Sequence, residues 1–204
     1  VLYKQYLGTT AATRIAAALQ TNTSVQYLDL SCNHIDTTGI TKLADALKGN
    51  KNITTLCLAD NRTGPGLDME AAGVDALAQT LKVNRTLSTL DLNDNNIGIA
   101  GTKELADALK VNNTLTALIL KLDNINDAGA EAFADALKVN SSLTELYLRD
   151  NSVKKAGAQA LGEALKVNNT LTRLSLRYNV VADADLVAIQ QDVRTVNTKI
   201  NIKW

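Results

Sequence analysis

Apolar positions in this chain recur in one frame, Leu-x-x-Leu-x-Leu. It is complete at Leu87/Leu90/Leu92, Leu115/Leu118/Leu120, Leu143/Leu146/Leu148 and Leu171/Leu174/Leu176, and has a substituted first position at Val25/Leu28/Leu30 and Ile53/Leu56/Leu58. The alternation has period 2, so each frame predicts a short strand with its leucines on one side and the intervening residues on the other. Downstream the spacing becomes helical, as in Gly101, Leu105, Ala106 and Leu109. The frames begin at 25, 53, 87, 115, 143 and 171, every 28 residues apart from one step of 34. Strand then helix, repeated in one direction, predicts a parallel sheet with helices on one face. A helix is about 10 Å wide and strands sit about 4.8 Å apart, so stacking both bends the sheet into an arc with the strands inside. No unit buries its leucine face alone; neighbours supply the core.

Polar punctuation follows the same period. Three residues after the third leucine stands Asn33, Asn61, Asn95, Asn151 or Asn179, with Asp123 as the departure. An amide both donates and accepts, so a stacked row of asparagines satisfies inward-pointing backbone groups. An ionised Asp123 lacks the donor, which predicts local irregularity with Asn124 moving into the slot. Gly39, Gly101, Gly129 and Gly157 share a second position, and Gly73 takes it beyond an insertion. Asn84, Asn112, Asn140 and Asn168 follow the helices, where a left-handed helix end is expected. Asn-x-Ser/Thr triplets at Asn22, Asn52, Asn84, Asn112, Asn140 and Asn168 fall in one slot and read as by-products of the architecture; Asn61 stands apart. Asp45/Lys48, Asp107/Lys110, Asp135/Lys138 and Glu163/Lys166 place opposite charges three residues apart on the outer helix faces. Each such pair contributes only about 0.2–0.5 kcal/mol.

These units resemble the leucine-rich repeat, in its 28-residue, ribonuclease-inhibitor-like class, over essentially the whole chain. The resemblance implies an α/β solenoid, a horseshoe arc with a parallel sheet on the concave face and helices on the convex face. It implies one domain over 1–204: a partial first repeat at 1–24, six repeats over 25–184 with an insertion at 64–69, and a degenerate C-terminal repeat or cap at 185–204. It further implies a non-catalytic module that binds a protein or peptide on its concave face. The alternatives it leaves are a GTPase-activating accessory, an enzyme-inhibitor scaffold, or the sensor segment of a larger receptor. GTPase-activating relatives carry an acidic tail and inhibitor relatives are cysteine-rich; this chain has no acidic run and two cysteines.

Breaks in the pattern carry further expectations. The stretch Thr63-Gly64-Pro65-Gly66-Leu67-Asp68-Met69 lengthens one strand-to-helix connection on the rim, either as a ligand-contacting loop or as a tolerated insertion. The first unit starts within a strand and continues into a helix around Ala11–Leu19 with no polar cap, as a fragment of a longer array would. At the other end Lys199, Ile202 and Trp204 fall on the three leucine slots.

Composition adds exclusions. Lys+Arg and Asp+Glu both number 21, and the halves do not polarise, so no surface works by bulk electrostatics; nucleic-acid and membrane partners are not expected. No apolar run approaches the roughly 18 residues of a membrane span. Cys32 and Cys57 are too few for a disulfide framework and point to a reducing, cytoplasmic setting. One histidine, His34, makes no metal site; Gly64-Pro65-Gly66 lacks the Lys-Ser/Thr of a phosphate loop; no catalytic constellation, cofactor or small-molecule substrate is expected.

The candidate site comes from the residues between the strand leucines, which face the hollow. Early ones, Tyr27, Asp29, Ser31, Thr55, Cys57, Ala59, Thr89, Asp91 and Asn93, are mostly small and mildly acidic. Later ones are Ala117, Ile119, Lys121, Glu145, Tyr147, Arg149, Arg173, Ser175 and Arg177, flanked by Leu122, Asp150 and Tyr178; among them stand out Ile119, Lys121, Leu122, Tyr147, Arg149, Arg173, Arg177 and Tyr178. Tyr and Arg dominate binding hot spots, and the fold itself needs none of these at a solvent-facing place. They form the expected partner-binding patch, with the partner a protein of unknown identity.

Overall fold

The computed structural model describes residues 1–61, 71–198 and 200–203. Strand and helix alternate along the described chain: α1 (Gly8–Leu19), β1 (Tyr27–Asp29), α2 (Thr37–Gly49), β2 (Thr55–Cys57), α3 (Ala71–Val83), β3 (Thr89–Asp91), α4 (Gly98–Leu109), β4 (Ala117–Ile119), α5 (Asp127–Leu137), β5 (Glu145–Tyr147), α6 (Lys155–Val167), β6 (Arg173–Ser175), α7 (Asp183–Val196) and β7 (Asn201–Lys203). The strands form one parallel sheet in sequence order. Leu28, Leu56, Leu90, Leu118, Leu146, Leu174 and Ile202 pair in register across it. Each helix packs on the next, giving the α/β solenoid with its strands on the inner side.

The core is the repeated face. The second and third frame leucines from Leu56 to Leu176 are buried throughout, together with Leu43, Leu77, Leu105, Phe133 and Leu161 of the helices. The recurring glycine lets successive helices approach. A Cβ on Gly101 would meet Ile97 at 2.7 Å and Val74 of α3 at 2.9 Å; one on Gly129 would meet Ile125 at 2.8 Å and Thr102 of α4 at 3.0 Å.

Two asparagine ladders tie the repeats together. In the loop after each strand, Asn95 Oδ1 accepts from Asn61 N at 3.0 Å, and its Nδ2 donates to the carbonyls of Leu58 (3.0 Å) and Leu92 (2.7 Å). The second ladder corrects the expected left-handed helix ends. Asn168 ends α6 in extended backbone, and none of Asn84, Asn112, Asn140 and Asn168 has positive φ. These side chains instead span the repeat boundary. Asn112 Nδ2 donates to Leu81 O at 2.7 Å, while its Oδ1 accepts from Thr114 N at 3.0 Å and Leu115 N at 2.7 Å. In the second repeat the slot belongs to Asn50, not Asn52: Asn50 Nδ2 donates to Leu19 O and its Oδ1 accepts from Ile53 N, both at 2.9 Å.

Asp123 also departs from expectation. It keeps the ladder place, fully buried, with Oδ1 accepting from Asn95 N at 2.9 Å. Asn124 stays outside and donates to Asn96 of the previous repeat. Asp123 Oδ2 is buried and has no hydrogen-bond partner. Burial, opposed by the N–H groups of Asn95 and Ile97 and aided by the Asp94 and Asp91 carboxylates, pushes this carboxyl up to about 8.

At the amino end residues 1–7 form no regular strand, yet Leu2 N donates to Asp29 O (2.8 Å) and Lys4 N to Ser31 O (3.0 Å), following the ladder edge. At the carboxyl end Asn197 takes the inter-repeat place 29 residues after Asn168, donating to Leu165 O and Asn168 O. The apolar position three residues beyond it is Ile200, which is buried and takes the place expected of Lys199. Lys199 itself, Trp204 and the 64–69 insertion lie outside the described residues.

Candidate functional site

Parallel register turns the strand periodicity into rows across the sheet. Tyr27, Thr55, Thr89, Ala117, Glu145 and Arg173 form one row. Asp29, Cys57, Asp91, Ile119, Tyr147 and Ser175 form the next. Backbone hydrogen bonds continue beyond the strands. Asp94 N donates to Lys121 O, Leu122 N to Arg149 O and Asp150 N to Arg177 O, which aligns Lys121, Arg149 and Arg177 in a third row. Along the rim stand Cys32, Asp60, Asp94, Leu122, Asp150 and Tyr178, all left-handed, with φ between 51° and 59°.

The late half is a connected patch. Arg173 Nη1 donates to the Tyr147 hydroxyl at 2.8 Å and pairs with Glu145 Oε1 at 3.0 Å; the same hydroxyl donates to Glu145 Oε2 at 2.7 Å. Burial, then the Glu145 hydrogen bond, raises the Tyr147 phenol above its ordinary range. Arg149 Nε contacts Asp150 Oδ2 at 2.9 Å, and Lys121 Nζ approaches that oxygen at 3.8 Å. The guanidinium of Arg149 lies 4.6 Å from the Tyr178 ring centroid and that of Arg177 lies 5.7 Å from it. Leu122 is 45% exposed and Tyr178 62%. Both sit in a left-handed conformation that costs most side chains roughly 1–2 kcal/mol and that Asp, at the same place in other repeats, tolerates better. Ile119 is half-buried, beside Tyr147 in register.

All eight expected residues therefore fall on β4–β6 and the rim beside them. Glu145 and Asp150, which the sequence places on this face but which were not counted in the patch, are the carboxylates that organise it. The signal was available: Glu145 stands one strand from Arg173 in the same row, and Asp150 adjoins Arg149. Ser175, expected to face the hollow, is buried.

The early half is chemically different. Cys57 Sγ lies 3.7 Å from the Tyr27 hydroxyl, a contact that pushes the phenol up to about 12. Burial raises the Asp91 carboxyl, with Asp29 adding repulsion. His34 stacks on Tyr6 at 5.4 Å between centroids. Among the described residues no three His, Cys, Asp or Glu side chains are grouped to hold a metal, and no helix is long and apolar enough to cross a membrane.

The sequence pattern described as "Leucine Rich repeat" matches residues 21–44, 83–106, 111–134, 139–162 and 167–189. Curated proteins give no match. Among solved structures, "Leiomodin-1 Actin-Binding Site 2 (ABS2)" is similar at 23% identity and a TM-score of 0.57, over 69% of this chain and 79% of that one. Another, "Crystal structure of TLR13-ssRNA13 complex", is similar at 20% identity and a TM-score of 0.56, over 91% of this chain but 23% of that one. At these identities the likeness is one of fold.

Proposed function

The chain belongs to the leucine-rich-repeat family, and from that premise we propose that it is a non-catalytic protein-recognition module whose binding face is the β4–β6 side of the concave sheet. The observation that carries the reading is the Glu145–Tyr147–Arg173 network beside the Arg149–Tyr178 stack. It presents aromatic rings and guanidinium groups already held in place, so little side-chain freedom is lost on binding. Large apolar side chains at Leu122 and Tyr178, exposed on the same rim, extend the contact area. The partner is a protein or peptide. Two free cysteines suit a reducing, cytoplasmic setting, and no cofactor or small-molecule substrate enters the proposal.

The test is a capture experiment with the wild type beside the Y147A/R173A double variant. It is followed by identification of any protein retained only by the wild type and by calorimetry with that purified protein. Actin joins the panel because one structure of similar fold is an actin-binding site of leiomodin-1. A purified partner that binds wild type and double variant equally overturns the assignment of the face.

A further inference from the structure

The third row changes character once along the sheet. Its first members, Ser31, Ala59 and Asn93, are uncharged; its last, Lys121, Arg149 and Arg177, are cations on neighbouring repeats. Neighbouring strands lie about 4.8 Å apart, so the three form a column of like charge spanning about 10 Å. One carboxylate, Asp150, contacts both Lys121 and Arg149. Among the described residues no carboxylate lies within ion-pair distance of Arg177, which is exposed beside the Tyr178 ring. The column with Asp150 thus keeps a net positive charge of two. Apolar surface flanks it on both sides, Ile119 and Tyr147 toward the strands and Leu122 and Tyr178 on the rim.

We propose that this column receives an acidic segment of a partner protein, laid across β4, β5 and β6. Its carboxylates rest on Arg149 and Arg177 and its apolar side chains on Leu122 and Tyr178. The proposal rests on the recognition role above and narrows it to the partner's chemistry. Guanidinium groups match carboxylates in a planar, two-point geometry. About three residues of extended chain cover the column's length. A nucleic acid fits less well. Asp150 and Glu145 oppose a continuous run of phosphates, and a net charge of zero supplies no long-range attraction.

Fluorescence anisotropy of the purified chain tests this with a labelled alternating Glu-Leu peptide, its Gln-Leu counterpart and oligothymidylate. The Glu-Leu peptide should bind in a salt-sensitive manner. R149Q/R177Q should weaken it about tenfold, as the loss of two partly exposed charge contacts predicts, with the circular dichroism spectrum unchanged. K110Q/K138Q, on the helical face, should leave it unaltered. Equal binding of the Gln-Leu peptide, an undiminished R149Q/R177Q, or tighter binding of oligothymidylate overturns the proposal. The two readings separate with a purified partner: loss of binding in Y147A/R173A but not in R149Q/R177Q retains the recognition face and removes the acidic segment. Loss in neither pair removes both.

Discussion

Arg173 on β6 donates to the phenolic oxygen of Tyr147 on β5 at 2.8 Å, and both contact Glu145. Each side chain therefore holds the other in one rotamer. We expect Y147A and R173A each to weaken partner binding by more than about 1 kcal/mol, and T55A, on the early half, to leave it unchanged. Because the two share one network, a double-mutant cycle should show a coupling of about 0.5 kcal/mol or more. Calorimetric titrations of the four proteins supply the cycle, and strict additivity would contradict the network.

Asp123 supplies a pH dependence. Its folded-state value of about 8 lies above the ordinary carboxyl value of 3.8, so the folded form holds a proton that the unfolded chain releases. That contribution is complete below about 4, declines as pH rises, and is gone above about 8. The decline is at most about 1.4 kcal/mol per pH unit. D123N restores the amide found at this place in the other repeats. It should flatten the dependence and stabilise the fold by about 1–3 kcal/mol near pH 8, the cost of an unsatisfied buried polar group. Urea unfolding across that pH range is the measurement.

Asn112 joins two repeats through three hydrogen bonds. N112A leaves Leu81 O and two N–H groups without this partner in a buried setting. The expected loss is about 2–4 kcal/mol, with a lower midpoint in thermal unfolding. K110A in the neighbouring helix removes only an exposed pair with Asp107 and should cost under about 0.5 kcal/mol.

Gly101 tests the helix spacing. Alanine gains about 1 kcal/mol in helix propensity, but its Cβ meets Val74 Cγ1 at 2.9 Å and Ile97 Cγ2 at 2.7 Å. Overpacking of that kind costs about 1–3 kcal/mol, so G101A should be destabilised on balance. The matching relief, V74A in the G101A background, should recover part of the loss by the same assay.

The frame was legible because a leucine at a period-2 place has one use, to face the core. Sheet order, register and helical faces all followed from it. Asparagine was less legible because one amide serves several geometries. The row through Asn33 and Asn95 was readable as a ladder, whereas Asn112 and its equivalents resembled helix caps until their reach across the repeat boundary was visible. Asn52 carried the triplet that drew notice, yet Asn50 takes the ladder place, bonding Leu19 O and Ile53 N. The last repeat holds 29 residues between Asn168 and Asn197, so counting by 28 landed on Lys199 instead of Ile200. In the candidate site, the row positions were fixed by the frame, but the partnerships of Glu145 and Asp150 depend on rotamers that spacing does not specify.

Both asparagine ladders run backwards along the chain: Asn61 reaches Leu30, Asn112 reaches Leu81, and Asn168 reaches Leu137. Through the second ladder, each coil from α1 to α6 is therefore covered by the one that follows it in the chain. The carbonyls of one coil gain these amide partners only when the following 28 or so residues are folded against it.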